Sequence, residues 1–169
     1  MTSSAKPDLN WAIDTGYWRT HKEQSEAARS LLCRLLDRDV TIEHNSQGAP
    51  YLPDNPSIHI SISHCRTAVA VAVSTNNRIG IDIESRRKIS PSLMERVCND
   101  SELSAIQSSD DPTMAFLRFW TQKEAVLKMR GTGIQGFGSM VDAANTADCT
   151  VEEIDCGTED TVAALAMAL

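Results

Sequence analysis

The chain has 169 residues, 41% of them hydrophobic and 23% charged, and its formal net charge is −7 at pH 7. This length suits one domain or two small lobes with a shared interface, and the hydrophobic content is enough for a core. The acidic balance argues against a general nucleic-acid binder, because such proteins are usually basic. The sequence contains no run of about 18 apolar residues, so no membrane span is predicted.

The cysteines are five in number, widely spaced and without a C-x-x-C pair, which argues against a zinc site or a disulfide framework. The first residues, MTSSAKPDLN, lack the apolar core of a secretory signal. Together these features predict reduced thiols and a cytoplasmic protein without a membrane partner.

Hydrophobic periodicity predicts the elements in chain order. Residues 23–38 have leucines at helical spacing, and the proline-rich residues 45–57 form a loop. Residues 57–63, 67–74 and 78–84 alternate as strands do, and the short breaks between them predict an antiparallel meander. The middle strand alternates valine with alanine, and we expect a helix to pack on its small alanine face.

The second half of the chain is predicted to be helical over residues 91–107 and 113–130, with the glycine-rich residues 131–138 ending the second helix. Residues 149–155 and 161–169 have strand-like patterns. The resulting order of helix, strands, two helices and strands predicts an α+β fold.

The sequence GIDIES, residues 80–85, places two carboxylates in the third strand. Because strand side chains alternate between faces, Asp82 and Glu84 share one face and the isoleucines share the other. In a meander, His64 and Glu84 would end strands that run in the same direction, at most roughly 10 Å apart. Taken alone, the two carboxylates also suit a solvated edge strand, and His64 suits a turn.

The helix 113–130 carries charges on its apolar side. At about 100° per residue, Lys123 and Glu124 fall within the arc of large apolar side chains, and Lys128 lies at its edge. The opposite face is predicted to hold Arg118, Thr121, Gln122, Ala125 and Met129. An intrahelical pair between Glu124 and Lys128 is one explanation. The other is a ligand, because three carboxylates without zinc-type ligands suit Mg²⁺ and lysines suit phosphates. The whole set predicts phosphoryl or nucleotidyl chemistry.

Three ordered motifs, SISH (61–64), IGIDIES (79–85) and FWTQKEAVLKMRGTGI (119–134), resemble the signatures of the 4′-phosphopantetheinyl transferase superfamily. Their order and spacing are similar to those of its Sfp-type, single-chain branch. GAPYLP (48–53) and EAARSLL (26–32) resemble two further family segments. Position 49 is alanine where the family often has lysine, and a cysteine follows the histidine of SISH.

The resemblance implies an α+β fold of two pseudo-symmetric lobes, each a small, mostly antiparallel sheet packed on a helix. The shortened N-terminal lobe would comprise residues 1–76 and the C-terminal lobe residues 77–169, with coenzyme A (CoA) in the cleft between them. The implied activity is transfer of 4′-phosphopantetheine from CoA to a serine of an acyl or peptidyl carrier protein. It would depend on Mg²⁺, release 3′,5′-ADP and need no second chain, so a monomer is expected.

The resemblance also implies roles for individual residues. Asp82, Glu84 and Glu124 would hold Mg²⁺, and Glu124 would also deprotonate the serine. Lys128 would neutralise the pyrophosphate and support the departure of 3′,5′-ADP. His64 joins Glu124 and Lys128 as an implied catalytic residue. The predicted CoA-binding residues are Arg29 at the 3′-phosphate, Pro50 near the adenine, His64 and Lys123 at the phosphates, Lys128 at the pyrophosphate, and Ser63.

Acidic carrier proteins need a basic patch on an acidic enzyme, and Arg86, Arg87 and Lys88, with help from Arg96, are predicted to supply it. Two alternatives to the transferase stay open. One is a non-catalytic module of the same fold that binds CoA or a carrier protein. The other is an unrelated Mg²⁺-dependent phosphotransferase or hydrolase. Fatty-acid, polyketide and nonribosomal-peptide carriers are all compatible with the sequence.

Overall fold

The structure, a computed structural model, describes residues 9–133 and 137–169. Its elements follow the chain in this order: β1 Leu9–Thr15, α1 His21–Leu36, β2 Glu43–His44, β3 Pro50–Tyr51, β4 His59–His64, β5 Ala68–Ser74, β6 Ile79–Ser85, α2 Pro91–Val97, α3 Asp100–Gln107, α4 Pro112–Arg130, α5 Phe137–Asp142, β7 Cys149–Ile154 and β8 Thr161–Ala168. The strands form antiparallel sheets in the orders β1-β5-β4, β2-β3 and β6-β8-β7. The predicted α+β class is confirmed.

The predicted hairpin between β4 and β5 is present, but the three-stranded meander is wrong at its third strand. Strand β6 pairs with β8 in a separate sheet. The physical reason is that both edges of β5 are already occupied, one by β4 and the other by β1. Sequence analysis missed β1, although LNWAIDT alternates apolar and polar residues for most of its length.

The two faces of β5 pack against different elements. Its valines pack with Ala28, Leu31 and Leu32 of α1. Its alanines pack with the isoleucines of β6 in a second core cluster. The prediction of a helix on the alanine face is therefore wrong. The larger valines meet the helix, and the small alanines leave room for a second sheet.

The predicted helix 113–130 is confirmed by α4. This helix is buried on more sides than the arc of large apolar side chains in its sequence had indicated. Thr121, Ala125 and Met129, predicted to lie opposite that arc, are buried, and α4 lies against β6. Gly80 allows this contact, because a Cβ there would lie 2.0 Å from the Ala125 carbonyl oxygen. The helix ends at Gly131 in a left-handed conformation with φ 72°, as the glycine-rich stop predicted.

The predicted helix 91–107 is two helices, α2 and α3. Asn99 interrupts it, because its side chain caps α3 in a capping box with Glu102. The predicted strands of the tail are present as β7 and β8. Residues 134–136 of the glycine-rich segment, and residues 1–8, lie outside the described residues. The lobe boundary at 76/77 and the pseudo-symmetry stay predictions. No helix in the described residues is long and apolar enough to cross a membrane.

Candidate active site

A cavity of about 780 Å³ brings together residues from all three sheets and from helices α1 and α4. Most of the residues singled out from the sequence line it, and these are Arg29, Pro50, Ser63, His64, Asp82, Glu84, Glu124 and Lys128. We call this cavity the pocket. Five predicted residues do not line it, namely Lys123, Arg86, Arg87, Lys88 and Arg96.

Strands β4 and β6 belong to different sheets, yet serine side chains join them at the pocket. The Ser61 hydroxyl accepts a hydrogen bond from the Ile81 amide at 3.0 Å, and the Ser63 hydroxyl accepts one from the Ile83 amide at 3.3 Å. Ser63 also donates to Asp82 Oδ1 at 2.7 Å. These bonds place the ends of SISH and GIDIES side by side. Sequence analysis missed this role for both serines, although their alternation with isoleucines in SISH was the available signal.

Asp82 has two carboxylate oxygens with different surroundings. Lys128 Nζ donates to Oδ1 at 2.7 Å and to the Ile81 carbonyl oxygen at 3.1 Å. The other oxygen, Oδ2, is buried and accepts no hydrogen bond from any described residue. A buried carboxylate oxygen without a partner is costly, and a cation would relieve that cost.

Glu124 faces the same carboxylates from helix α4. Burial, and then the negative charge of Asp82, raise the pKa of Glu124 to about 7, against a smaller opposing effect of Lys128. A carboxyl group with that pKa can accept or release a proton near neutral pH. The i,i+4 ion pair between Glu124 and Lys128 does not form in the structure, because Lys128 pairs with Asp82 instead.

The second strand carboxylate, Glu84, pairs within its own segment. Arg87 donates to both carboxylate oxygens of Glu84, at 3.1 and 3.3 Å, and its guanidinium carbon lies 5.9 Å from the Trp120 ring centre. In residues 9–133 and 137–169, no group of three or more His, Cys, Asp or Glu side chains stands in an arrangement that could hold a metal ion. The predicted metal ligands thus share a pocket while two of them pair with the chain's own cations.

Histidines and an arginine line the pocket alongside the carboxylates. The rings of His64 and His21 contact edge to face at 5.1 Å between centres. Burial, followed by the positive charges of His21 and Lys128, lowers the pKa of His64. Arg29 Nε donates to the Val40 carbonyl oxygen at 3.1 Å. Sequence analysis missed His21, which begins α1 and has no motif to mark it.

Lys123 is not in the pocket, which corrects its predicted place at the CoA phosphates. Its ammonium group is buried and donates to the Val97 carbonyl oxygen at 2.5 Å and to Glu102 at 2.6 Å. Lys123 and Lys128 are five residues apart, so their directions differ by about 140° around the helix. One of them therefore enters the core and the other the pocket.

Among the described residues, only part of the predicted basic patch, Arg86, Arg87 and Lys88, is free of ion pairs within the protein. Arg86 forms ion pairs with Asp111 and Asp160, both at 2.6 Å, and these acceptors raise its pKa further above the usual range. Arg87 is held by Glu84, as described above. Lys88 is exposed. The first two cations of the patch thus have intramolecular partners.

The fold and the pocket define a class of α+β protein in which small antiparallel sheets and their helices enclose a cavity lined by carboxylates and cations. The chain belongs to the 4′-phosphopantetheinyl transferase superfamily, whose family model matches residues 78–163.

Several transferases are similar to this chain. The 4′-phosphopantetheinyl transferase Sfp of Bacillus subtilis (strain 168) is 32% identical over 128 residues, covering 68% of this chain and 56% of the relative. The transferase HetI of Nostoc sp. is 31% identical over 132 residues, covering 70% of this chain and 56% of the relative. The transferase AcpT of Salmonella typhimurium is 30% identical over 109 residues, covering 62% and 57%. The chain thus spans little more than half the length of these relatives.

Proposed function

We propose that the protein transfers 4′-phosphopantetheine from CoA to a serine of an acyl or peptidyl carrier protein, with Mg²⁺, and releases 3′,5′-ADP. Family membership and the names of the similar transferases support this function. The observation that carries the proposal is the convergence of Asp82, Glu84, Glu124 and Lys128 on one pocket that also contains His64. A cavity of about 780 Å³ is within the usual range for a ligand of this size.

The cations of the pocket suit the phosphates of CoA. Lys128 has its side chain 29% exposed toward solvent, so its ammonium group can bind a phosphate oxygen as well as Asp82. Arg29 and His64 offer further donors on the same cavity, and Pro50 adds an apolar surface. In this proposal they bind the 3′-phosphate, the pyrophosphate and the adenine respectively.

Glu124 suits the role of general base toward the carrier serine, because it lies in the pocket and because burial, followed by the charge of Asp82, raises its pKa to about 7 in the metal-free protein. The serine hydroxyl gives its proton to Glu124, directly or through a water, as its oxygen forms a bond to the β-phosphorus of CoA. The bond from that phosphorus to the bridging oxygen breaks, and its electron pair leaves with 3′,5′-ADP. Lys128 neutralises the charge that develops on this leaving group.

Asp82, Glu84 and Glu124 are the residues that would hold Mg²⁺. The fit rests on the buried, unpartnered Oδ2 of Asp82 and on the environment of Glu124, where burial and then the negative charges of Asp82 and Glu84 disfavour a bare carboxylate and raise its pKa. Carboxylate oxygens are the donors that this cation prefers. Bound there, Mg²⁺ would reduce the repulsion between the pyrophosphate and the incoming oxygen.

Incubation of the protein with CoA, Mg²⁺ and an apo carrier protein, followed by mass spectrometry of the carrier, tests the proposal. We expect the carrier to gain the mass of one phosphopantetheine group. The variant Glu124→Gln should reduce transfer by roughly 10²- to 10⁴-fold while retaining its fold, since a general base contributes about that much. Bound CoA without transfer would favour the non-catalytic module, and CoA breakdown without transfer would favour a hydrolase.

A further inference from the structure

Glu84 and Asp82 are two of the proposed metal ligands, but the chain's own cations engage them differently. Lys128 contacts one oxygen of Asp82 and leaves the other without a described partner. Arg87 contacts both oxygens of Glu84 in a bidentate pair. Of these two strand carboxylates, Glu84 is therefore the one with both oxygens engaged by a cation of the chain.

The position of Arg87 is set by two contacts at once. Its guanidinium group pairs with Glu84 and lies over the ring of Trp120, and both of these residues line the pocket. A planar guanidinium suits both contacts, whereas an ammonium group would suit neither as well. The pair is also accessible, since the Arg87 side chain is 42% exposed and that of Glu84 is 20% exposed. An exposed pair of this kind is weak enough to exchange for another cation.

We propose that Arg87 is an internal competitor of the divalent cation at Glu84. It neutralises Glu84 and covers both oxygens until a cation displaces it, and it thereby weakens the apparent affinity of the metal site. This inference rests on the proposed Mg²⁺ site but not on the transfer reaction. It assigns Arg87 to the metal site rather than to the carrier patch in which the sequence placed it. Arg87 acts through Glu84 and is a positioning residue.

The proposal predicts that Arg87→Ala tightens divalent-cation binding. Removing one positive charge next to a partly exposed carboxylate should lower the Mn²⁺ dissociation constant about 3- to 10-fold. Lys88→Ala is the matched control, since it removes the same charge from the next residue, which has an exposed side chain. We expect less than about a twofold change there because of solvent screening. The Mn²⁺ dissociation constant of Arg87→Lys should lie between those of Arg87→Ala and Lys88→Ala, because lysine keeps the positive charge but cannot donate to both oxygens of Glu84 from a planar guanidinium group.

Electron paramagnetic resonance of free Mn²⁺, titrated with the full chain and each variant, measures these constants without any transfer assay. The same titration in Glu84→Gln and in Glu84→Gln/Arg87→Ala completes a double-mutant cycle. If Arg87 competes at Glu84, its removal should have little effect once Glu84 is neutral. Thermal unfolding of each variant separates this competition from a general loss of structure.

Three results would overturn the inference while leaving the proposed metal site intact. These are an unchanged Mn²⁺ constant in Arg87→Ala, an equal gain in Lys88→Ala, or a gain that persists in the Glu84→Gln background. Absence of Mn²⁺ binding by the unmodified chain would overturn it together with the proposed metal site. Failure of carrier modification alongside the expected Mn²⁺ response would overturn only the transfer function.

Discussion

Helix α4 presents two lysines with the same kind of contacts in two different surroundings. Lys123 donates to a carboxylate of Glu102 and to a backbone carbonyl, and Lys128 donates to a carboxylate of Asp82 and to a backbone carbonyl. The Lys123 side chain is 3% exposed, whereas that of Lys128 is 29% exposed. The core pair is enclosed by helices α2 and α3, and the pocket pair borders a cavity.

The difference lies in the groups that the two pairs leave unused. Glu102 Oε2 accepts from both Lys123 and the Asn99 amide, so the core carboxylate also caps α3. Asp82 keeps a buried oxygen without a described partner, and Lys128 keeps an accessible side. The same ion-pair chemistry therefore holds helices together in one place and leaves a binding capacity in the other.

The largest expected effect comes from removing each lysine in turn. Lys123→Met leaves the Glu102 carboxylate buried without its counter-charge, which should lower the free energy of unfolding by about 3–5 kcal/mol. Lys128→Met leaves a carboxylate, Asp82, that is as buried as Glu102, but the cavity beside it admits water, so the expected loss is smaller, about 1–3 kcal/mol. Denaturant unfolding measures both values.

Activity should reverse the order of these two variants. Under the proposed function, Lys128→Met lowers the transfer rate strongly, whereas Lys123→Met at a temperature where it is folded keeps its rate per folded molecule. The double variant Lys123→Met/Glu102→Gln should regain part of the lost stability, because glutamine keeps the cap on α3 without a buried charge. Equal loss of stability in the two lysine variants would contradict the distinction between core and pocket.

Gly80 tests whether the pocket pair depends on the close contact of α4 with β6. An alanine Cβ would lie 2.0 Å from the Ala125 carbonyl oxygen and 2.5 Å from the Met129 amide nitrogen, so the helix must move away from the strand. We expect Gly80→Ala to cost roughly 1–3 kcal/mol of stability and to reduce transfer, because Lys128 reaches Asp82 across this contact. Gly138→Ala is the control, since a Cβ there meets no described atom within 4 Å. Equal effects of the two substitutions would contradict this reading of Gly80.

Sequence analysis predicted the elements well where one periodicity dominated. The alternation in HISISH and IGIDIES gave the strands β4 and β6, and helical spacing gave α1 and α4. Membership of a sheet could not be derived in the same way, because it depends on which strand edges are already occupied. Strand β1 occupies the second edge of β5, and neither β5 nor β6 contains a local signal for that partner.

The candidate site was predicted in its composition but not in its pairing. The motifs identified Asp82, Glu84 and Glu124, and the pocket contains all three. The sequence could not show that Lys123 turns into the core, because its acceptors Val97 and Glu102 are distant in the chain. Position on a helix fixes a direction around its axis, and only the tertiary structure fixes the group found in that direction.

The two glutamates near these lysines should respond to neutralisation with opposite signs. The folded-state pKa of Glu124, about 7, lies above its ordinary value of 4.5. Stability from this group is therefore full below about pH 4.5 and is lost as the pH rises through about 7. In metal-free protein at pH 8, Glu124→Gln should raise the free energy of unfolding by about 1–2 kcal/mol, less than the full shift because solvent screens a partly exposed group.

Glu102→Gln, the matched substitution in the core pair, should lower stability at the same pH, because it removes the counter-charge of buried Lys123. Unfolding of both variants between pH 4 and 8 with a chelator present checks the prediction. A Glu124→Gln variant whose stability follows the same pH dependence as the unmodified chain would show that Glu124 is not the group responsible. If the prediction holds, the ionised Glu124 carboxylate lowers the stability of the metal-free fold, and loss of stability at a functional site is a common pattern in proteins.

The smallest expected effect concerns the basic segment 86–88, which follows Glu84. As with the two lysines of α4, some of its charges have partners within the protein and one is exposed at the surface. Arg86 pairs with Asp111 and Asp160. Reversal of the Arg86 charge would break both ion pairs, so an effect on carrier binding could not be separated from a loss of stability. Lys88 is exposed, so Lys88→Glu tests a carrier contact more cleanly. We expect it to raise the KM for an acidic carrier protein about 2- to 5-fold with little change in the KM for CoA, as expected for an exposed charge at the rim of an interface.

The same charge reversal at Arg78 provides the control for Lys88→Glu. Arg78 is also exposed, but it precedes β6, whereas Lys88 follows that strand, so about 20 Å of extended chain separates them. Reversal at Arg78 should leave the carrier KM unchanged if the interaction is local. Equal increases in both variants would mean that overall charge governs the encounter, and an unchanged KM in Lys88→Glu would remove this segment from the carrier interface. Added salt should reduce the effect of Lys88→Glu, because screening weakens a rim contact before it weakens the buried pairs of the pocket.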